Sequence, residues 1–321
     1  MKKKASTSKV AKLRKLHNPD NVIRLVQYRI LSHILSKVDI PDYIYGFEKG
    51  KSVISAARCH LNKKVVISLD IKEFFDSIKQ VRVEQIFKEL GIGEDPSKIL
   101  SELCTYRAYV PQGSLTAPKL SNIVASKTFG PEIKEFCDKQ GLSLSIYADD
   151  ITISYNNEFP NVEQAKAFAA SISAFVTNTV EKYRFRINNS KTKIMPRHRR
   201  QWVCGAVVNE KVNMKKSERL QLRAIVHNAS INGVEKEAHQ AGMEPVDFIR
   251  KYSGRINWLC QLNPDAGVLL KKQFRKASGI YLKKYPEIEI PELAWNSGIE
   301  NLVPVEEESS EALPAGDFEV V

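Results

Sequence analysis

Leu142-Ser143-Leu144-Ser145-Ile146-Tyr147-Ala148-Asp149-Asp150-Ile151-Thr152-Ile153-Ser154 is the stretch from which the fold is read. Apolar and small polar residues alternate on both sides of an acidic pair. That is the period of a strand, a turn and a returning strand. Asp149 and Asp150 therefore fall at a hairpin tip, where both carboxylates can face a common metal. Far upstream, Lys64-Val65-Val66-Ile67-Ser68-Leu69-Asp70 reads as a buried strand that ends in a third carboxylate. Taken singly, an Asp-Asp pair in a turn is solvated surface and an Asp after an apolar strand is a helix cap. Taken together, the three would repel one another in a cleft unless divalent cations relieved them. Hard oxygen ligands suit Mg²⁺, and two such ions can clamp the attacking and leaving oxygens of phosphoryl transfer.

Further segments follow the same template in order. Asp70-Ile71-Lys72-Glu73-Phe74-Phe75 continues from the first carboxylate. Pro111-Gln112-Gly113-Ser114-Leu115-Thr116-Ala117-Pro118-Lys119-Leu120-Ser121-Asn122 forms a turn followed by a helical run. Ile187-Asn188-Asn189-Ser190-Lys191-Thr192 lies downstream of the acidic pair. With Tyr147 to Asp150 as the YxDD box, these four motifs resemble the palm of reverse transcriptases, and among them the bacterial retron type. The resemblance covers roughly residues 10 to 285.

What the resemblance implies is specific. Asp70 and Asp149 hold most of the metal, Asp150 supports them and Ile71 offers its backbone carbonyl. The cofactor is a pair of Mg²⁺ ions, with Mn²⁺ able to substitute. Phe75 takes the position of the steric gate that clashes with a ribose 2′-OH, unless it is a core aromatic. Gln112 hydrogen-bonds the nucleotide or template, with Gly113 permitting close backbone approach. Lys191 neutralises triphosphate charge or protonates the leaving pyrophosphate. Lys12 and Arg14 fall where cations of the fingers grip the β- and γ-phosphates.

Composition agrees with a polyanionic partner. The chain has 321 residues, a formal charge of +12 and a pI near 9.3. Six acids and no Lys or Arg lie beyond Asn301, so residues 1–300 carry +18. That acidic tail, with its Pro, Ser and Gly, reads as disordered. The five cysteines form no Cys-x-x-Cys pair and the six histidines no ligand pattern. Neither zinc nor disulfides are implied. No apolar run approaches a membrane span, and Met1-Lys2-Lys3-Lys4 lacks the apolar stretch of a signal peptide. A cytoplasmic protein with no membrane partner is expected.

The predicted class is α+β, a right-hand polymerase fold with fingers, a palm of antiparallel sheet and helices, and a helical thumb. A basic arm and fingers occupy 1–64. The palm occupies 65–210, with inserted fingers elements at about 80–120. The thumb occupies 211–290 and a C-terminal extension 291–321. Helices are expected from the Asn18-Pro19-Asp20 cap through Leu35, over 53–61, 84–90 and 96–104, from Lys119, and over 161–183. Trp202 to Asn209 reads as a hairpin. Three helices follow, from Lys215, from Pro245, and around Leu269, Leu270 and Phe274.

The thumb is basic at Lys215, Lys216, Arg219, Lys271, Lys272, Arg275 and Lys276. After a palm, such a surface is the expected wall for an RNA–DNA duplex and structured RNA. Two elements bear on subtype. Ala56-Ala57-Arg58-Cys59-His60 resembles the retron Asn-Ala-x-x-His element with the Asn replaced. Val203-Cys204-Gly205 resembles Val-Thr-Gly with the Thr replaced. The retron resemblance implies a cognate noncoding RNA, dNTP substrates and priming from a guanosine 2′-OH. The product would be RNA-linked multicopy single-stranded DNA (msDNA), made in antiphage defence beside a separate effector protein. Another defence-type enzyme, a group II intron-like enzyme and a catalytically silent RNA/DNA-binding scaffold stay open at this point.

Overall fold

The computed structural model describes His17 and residues 19–285. Lys12, Arg14 and the acidic tail beyond Asn301 lie outside the described residues. The chain divides into two compact units at Val212 and Asn213.

The first unit opens with α1 (Asn21–His33), started by the Asp20 carboxylate accepting the Ile23 N–H at 2.9 Å. A loop leads to α2 (Val53–Arg58), where Ser52 and Ser55 form a reciprocal capping box. Strand β1 (Val65–Asp70) follows, then α3 (Phe74–Ser77), α4 (Gln80–Glu89) and α5 (Glu94–Cys104). The sequence expected α4 from residue 84 and α5 from residue 96. Both start earlier, and neither has a side-chain cap to announce it. Next come α6 (Ala117–Lys127) and α7 (Phe129–Lys139), the latter unforeseen. Strands β2 (Ser143–Tyr147) and β3 (Asp150–Tyr155) make the expected hairpin. Behind it runs α8 (Val162–Lys182), capped by Asn161, then β4 (Lys193–Pro196) and the short pair β5 (Trp202–Val203) and β6 (Ala206–Val207).

The four-stranded sheet is antiparallel, in the order β2-β3-β1-β4. Alternation gives it two unlike faces. Leu144, Ile146, Ile151, Ile153, Ile67 and Leu69 enter one fully buried core with residues of α6, α7 and α8. Ser145, Thr152, Ser154 and Ser68 lie on the other face, in line with Asp150 and Asp70. Phe74, Phe129 and Phe185 pack as a ring cluster, with centroids 5.4 to 6.1 Å apart, and anchor the chain just after Asp70.

The second unit is helical: α9 (Lys216–Asn232), α10 (Val234–Gln240), α11 (Pro245–Leu262) and α12 (Pro264–Lys284). Three helices were expected and four are present. Helix α10 has seven residues, too few for a period to show. Gly267 lets α12 close on α11, since a Cβ there would meet the Cys260 backbone at 2.4 Å. Of the three residues that marked the last helix in the sequence, Leu269 is exposed, whereas Leu270 and Phe274 are buried.

Candidate active site

Asp70 ends β1 and Asp150 begins β3, and the two are paired directly across the ladder. Side chains of paired residues leave a sheet on the same face, so the register puts both carboxylates together. Asp149 occupies the second position of a two-residue turn closed by Tyr147 and Asp150. Ala148, at the first position, has φ +52° while Asp149 has no positive φ. That is the pattern of a type II′ hairpin turn, whose twist matches the flanking strands. The Asp149 carbonyl accepts the Ile71 N–H at 2.8 Å, which ties the turn to the chain beyond β1.

The segment Asn188 to Thr192 latches onto Asp70. The Asn188 N–H donates to the Asp70 carbonyl at 2.7 Å, and its amide donates to Asp70 Oδ2 at 3.3 Å. Lys191 Nζ stands 2.6 Å from Asp70 Oδ1. Burial, then the charges of Asp149 and Asp70, push the Asp150 carboxyl up to about 6. Burial, then Asp150 and Asp149, push the Cys204 thiol up to about 12, so the β5–β6 turn lies within electrostatic reach of the acids.

Asp70, Asn188 and Lys191 border a cleft of about 960 Å³. Asp70, Ile71, Asp149, Phe75, Gln112 and Lys191 all line it. Asp150 is not among its walls. Phe75 is half-buried against the core yet reaches the cleft, so its two sequence readings are compatible. Gly113 has φ +108°, and a Cβ there would meet the His17 carbonyl at 2.8 Å. The His17 N–H donates to the Gln112 carbonyl at 2.9 Å, so the segment before α1 fastens the Pro-Gln-Gly turn. His17, Ser114 and Asn188 also line the cleft and were not singled out in the sequence. Ser114 Oγ is buried without a hydrogen-bond partner among the described residues. The only sequence signal for Asn188 and Ser114 was their place inside recognised motifs; His17 had none.

The hairpin is supported from below by the Tyr45–Ser52 loop. Gly46 lies against the turn so closely that a Cβ would stand 2.9 Å from the Ala148 nitrogen. Asn122 of α6 donates to the Gly46 carbonyl and to Glu48, and Lys119 pairs with Glu48 at 3.1 Å. The helix that follows the Pro-Gln-Gly turn thus holds the loop that holds the acidic turn.

The donor set suits a hard divalent cation. Three carboxylates lie close together, burial and then the charges of the other two raise the Asp150 carboxyl, and an ammonium already sits on Asp70. They do not form a finished cage: among the described residues, no three His, Cys, Asp or Glu side chains stand at ligating distance.

In the helical unit, Lys216, Lys272, Arg275 and Lys276 are exposed, and Lys271 and Arg219 half-exposed. Lys215 precedes α9 and pairs with Glu218 at 3.0 Å. Lys272, Arg275 and Lys276 share the outer side of α12, opposite Leu270, Phe274 and Ala277.

The family profile described as "Reverse transcriptase (RNA-dependent DNA polymerase)" matches residues 3–230. The chain belongs to the reverse transcriptase family. Its similarity to the retron type is equally direct. It is 30% identical to the Retron Ec86 reverse transcriptase of Escherichia coli, over 68% of this chain and 65% of that protein. It is 28% identical to the Retron Mx65 reverse transcriptase of Myxococcus xanthus, over 83% of this chain and 62% of that one. It is 35% identical to the Retron Se72 reverse transcriptase of Salmonella heidelberg, over 60% and 49%. The matched stretch thus spans about half to two-thirds of each relative's length. The antiparallel sheet with its flanking helices is a reverse transcriptase palm, and the α+β polymerase class expected from the sequence stands. Among the described residues, no helix is long and apolar enough to cross a membrane.

Proposed function

We propose that this chain is the RNA-directed DNA polymerase of a retron, copying its cognate noncoding RNA into RNA-linked single-stranded DNA in the cytoplasm. The observation that carries this reading is the pairing of Asp70 with Asp150, beside a cleft whose walls include Asp70, Asp149, Phe75, Gln112 and Lys191. Asp70, Asp149 and Asp150, with the Ile71 carbonyl, are the groups that would hold two Mg²⁺ ions, or Mn²⁺ in their place. Bound there, the metal supplies Lewis acidity and charge neutralisation for nucleotidyl transfer. The protein's own groups do the rest. Lys191 exchanges Asp70 for the triphosphate and offers a proton to the leaving pyrophosphate. Phe75 occupies the space a ribose 2′-OH would need. Gln112, fixed through its carbonyl to His17, keeps its amide for the nucleotide or template. Lys12 and Arg14 complete the triphosphate contacts. Lys215, Lys216, Arg219, Lys271, Lys272, Arg275 and Lys276 bind the RNA phosphates, with the salt dependence that counterion release imposes. A separate effector protein and a role in antiphage defence complete the reading.

The test is dNTP incorporation on a primed RNA with Mg²⁺. Asp149→Asn with Asp150→Asn should lower the rate by at least about 10³-fold, since several kcal/mol of charge stabilisation are lost. Undiminished incorporation by that folded variant overturns the assignment. Phe75→Ala should raise ribonucleotide use relative to dNTP use roughly tenfold, the scale of a lost steric contact in a pocket. Unchanged discrimination would return Phe75 to the core alone. Sequencing of copurifying nucleic acid should recover one discrete RNA-linked DNA; untemplated DNA would defeat the retron part of the reading.

A further inference from the structure

His60 lies in the chain between α2 and β1 and is fully buried. Its two ring nitrogens have different partners on different strands. Nδ1 is 2.7 Å from Ser154 Oγ on β3, and Nε2 is 2.8 Å from Ser145 Oγ on β2. Both serines are buried, and neither lies in the cleft. They leave the sheet on the face that carries Asp70 and Asp150, because Ser145 is paired with Thr152 and Ser154 is two residues further along β3. The imidazole therefore spans the two strands of the carboxylate hairpin from the side on which the carboxylates stand.

The hairpin needs such a tie. Strand β2 is at the end of the sheet order, bonded to β3 on one side. On its other side, two hydrogen bonds join Ile146 to Tyr43 and Tyr45. Its turn contains a non-glycine residue at positive φ, a conformation that persists only when its surroundings hold it. A neutral imidazole offers one donor and one acceptor, and two serine hydroxyls can answer both. Burial pushes the His60 pKa down to about 3, so the ring is neutral at physiological pH. Small hydroxyls at 145 and 154 leave the room that the ring fills.

We infer that His60 is a positioning residue: it locks β2 to β3 and thereby fixes Asp149 and Asp150 against Asp70. The inference rests on the reading of those carboxylates as catalytic. It assigns His60 no contact with substrate.

The test uses the full chain and two readouts. In His60→Phe, which keeps a ring and removes both hydrogen bonds, backbone amides of residues 143–147 should exchange with solvent at least tenfold faster. Those of β1 should be unchanged. On the folded protein, kcat for dNTP incorporation should fall on the order of 10²-fold, the scale of about a 1 Å misplacement, with the dNTP KM within twofold. His60→Gln, which keeps a donor and an acceptor, should retain kcat to within tenfold. Combining His60→Phe with Ser145→Ala and Ser154→Ala removes every orphaned polar group, so it should restore Tm but not kcat. If kcat returns with Tm, His60 is only a satisfied core residue and the inference fails. Exchange in 143–147 that matches wild type also overturns it. Should His60→Phe not fold, Ser145→Ala removes the edge-strand end of the bridge alone, and the same exchange comparison decides. Wild-type incorporation by the Asp149→Asn, Asp150→Asn protein would instead sink the catalytic reading, while the exchange result would still report on the clamp.

Discussion

The two faces of the central sheet come from the same strands and do opposite things. One face, with Ile67, Leu69, Leu144, Ile146, Ile151 and Ile153, is continuous with the core and is nearly inaccessible. The other carries Asp70, Asp150, Ser145, Thr152 and Ser154, also largely buried, beneath His60. The apolar face contributes stability by excluding water and filling space. The polar face gathers like charges and hydroxyls whose burial is unfavourable unless each finds a partner. A period of two thus separates what holds the palm together from what the palm is for.

Three measurements can break or sharpen that division. The largest effect belongs to the apolar face. Ile153→Ala should cost about 2–5 kcal/mol in unfolding free energy, as for other buried Ile truncations. Denaturant unfolding would show it, and a loss under about 1 kcal/mol would mean the face is less tightly packed than its burial indicates. On the polar face the sign reverses. The Asp150 carboxyl is raised to about 6 by burial and by its acidic neighbours. Its charge therefore opposes folding at neutral pH. Asp150→Asn should stabilise the metal-free protein by roughly 1–3 kcal/mol while lowering activity, a trade of function for stability. Destabilisation by Asp150→Asn in EDTA would contradict the division of labour.

The smallest effect is a pH slope. His60 has a folded-state pKa near 3, below its unfolded value. Its contribution is fully present above about pH 6.5 and is lost as pH falls, at up to about 1.4 kcal/mol per unit. Asp150, raised above its unfolded value, works in the opposite direction. Its stabilisation is present below about pH 4 and lost as pH rises through about 6. In the metal-free wild type the two slopes oppose each other between pH 4 and 6. Asp150→Asn should therefore expose the steeper loss on acidification, and adding His60→Gln should flatten it. Parallel curves for all three proteins would show that His60 is not the titrating group.

Much of the palm could be read from the sequence because its signals are local. The hairpin followed from strict alternation. Strand β1 followed from an apolar run, and α8 from Asn161, whose side chain accepts the Gln164 N–H at 2.9 Å. Helix α7 escaped because its start at Thr128 has no side-chain cap, and Gly130 near that start looks like a breaker. Gly130 is there because α7 turns back onto α6; a Cβ would meet the Ala125 carbonyl at 2.5 Å. Strand β4, Lys-Ile-Met-Pro, is too short to show a period. The candidate site was legible where motifs named it, as at Asp70, Asp149, Phe75, Gln112 and Lys191. The anchoring of Gln112 by His17 and of the hairpin by His60 was not, because each joins positions about 85 to 95 residues apart. Ser145 and Ser154 are buried on the polar side of that alternation. Nothing local says that 145 and 154 are dry.

Gly46 shows how far the site extends beyond the cleft. It is a loop residue about a hundred positions from the acidic pair, bears no chemistry and does not line the cavity. Its Cα nonetheless rests on the Ala148 amide with no space for even a methyl group. In a saturation scan of this protein, position 46 would therefore score with the aspartates proposed as catalytic rather than with its neighbours in the loop. Every replacement there, alanine included, is in effect an edit to the carboxylate turn.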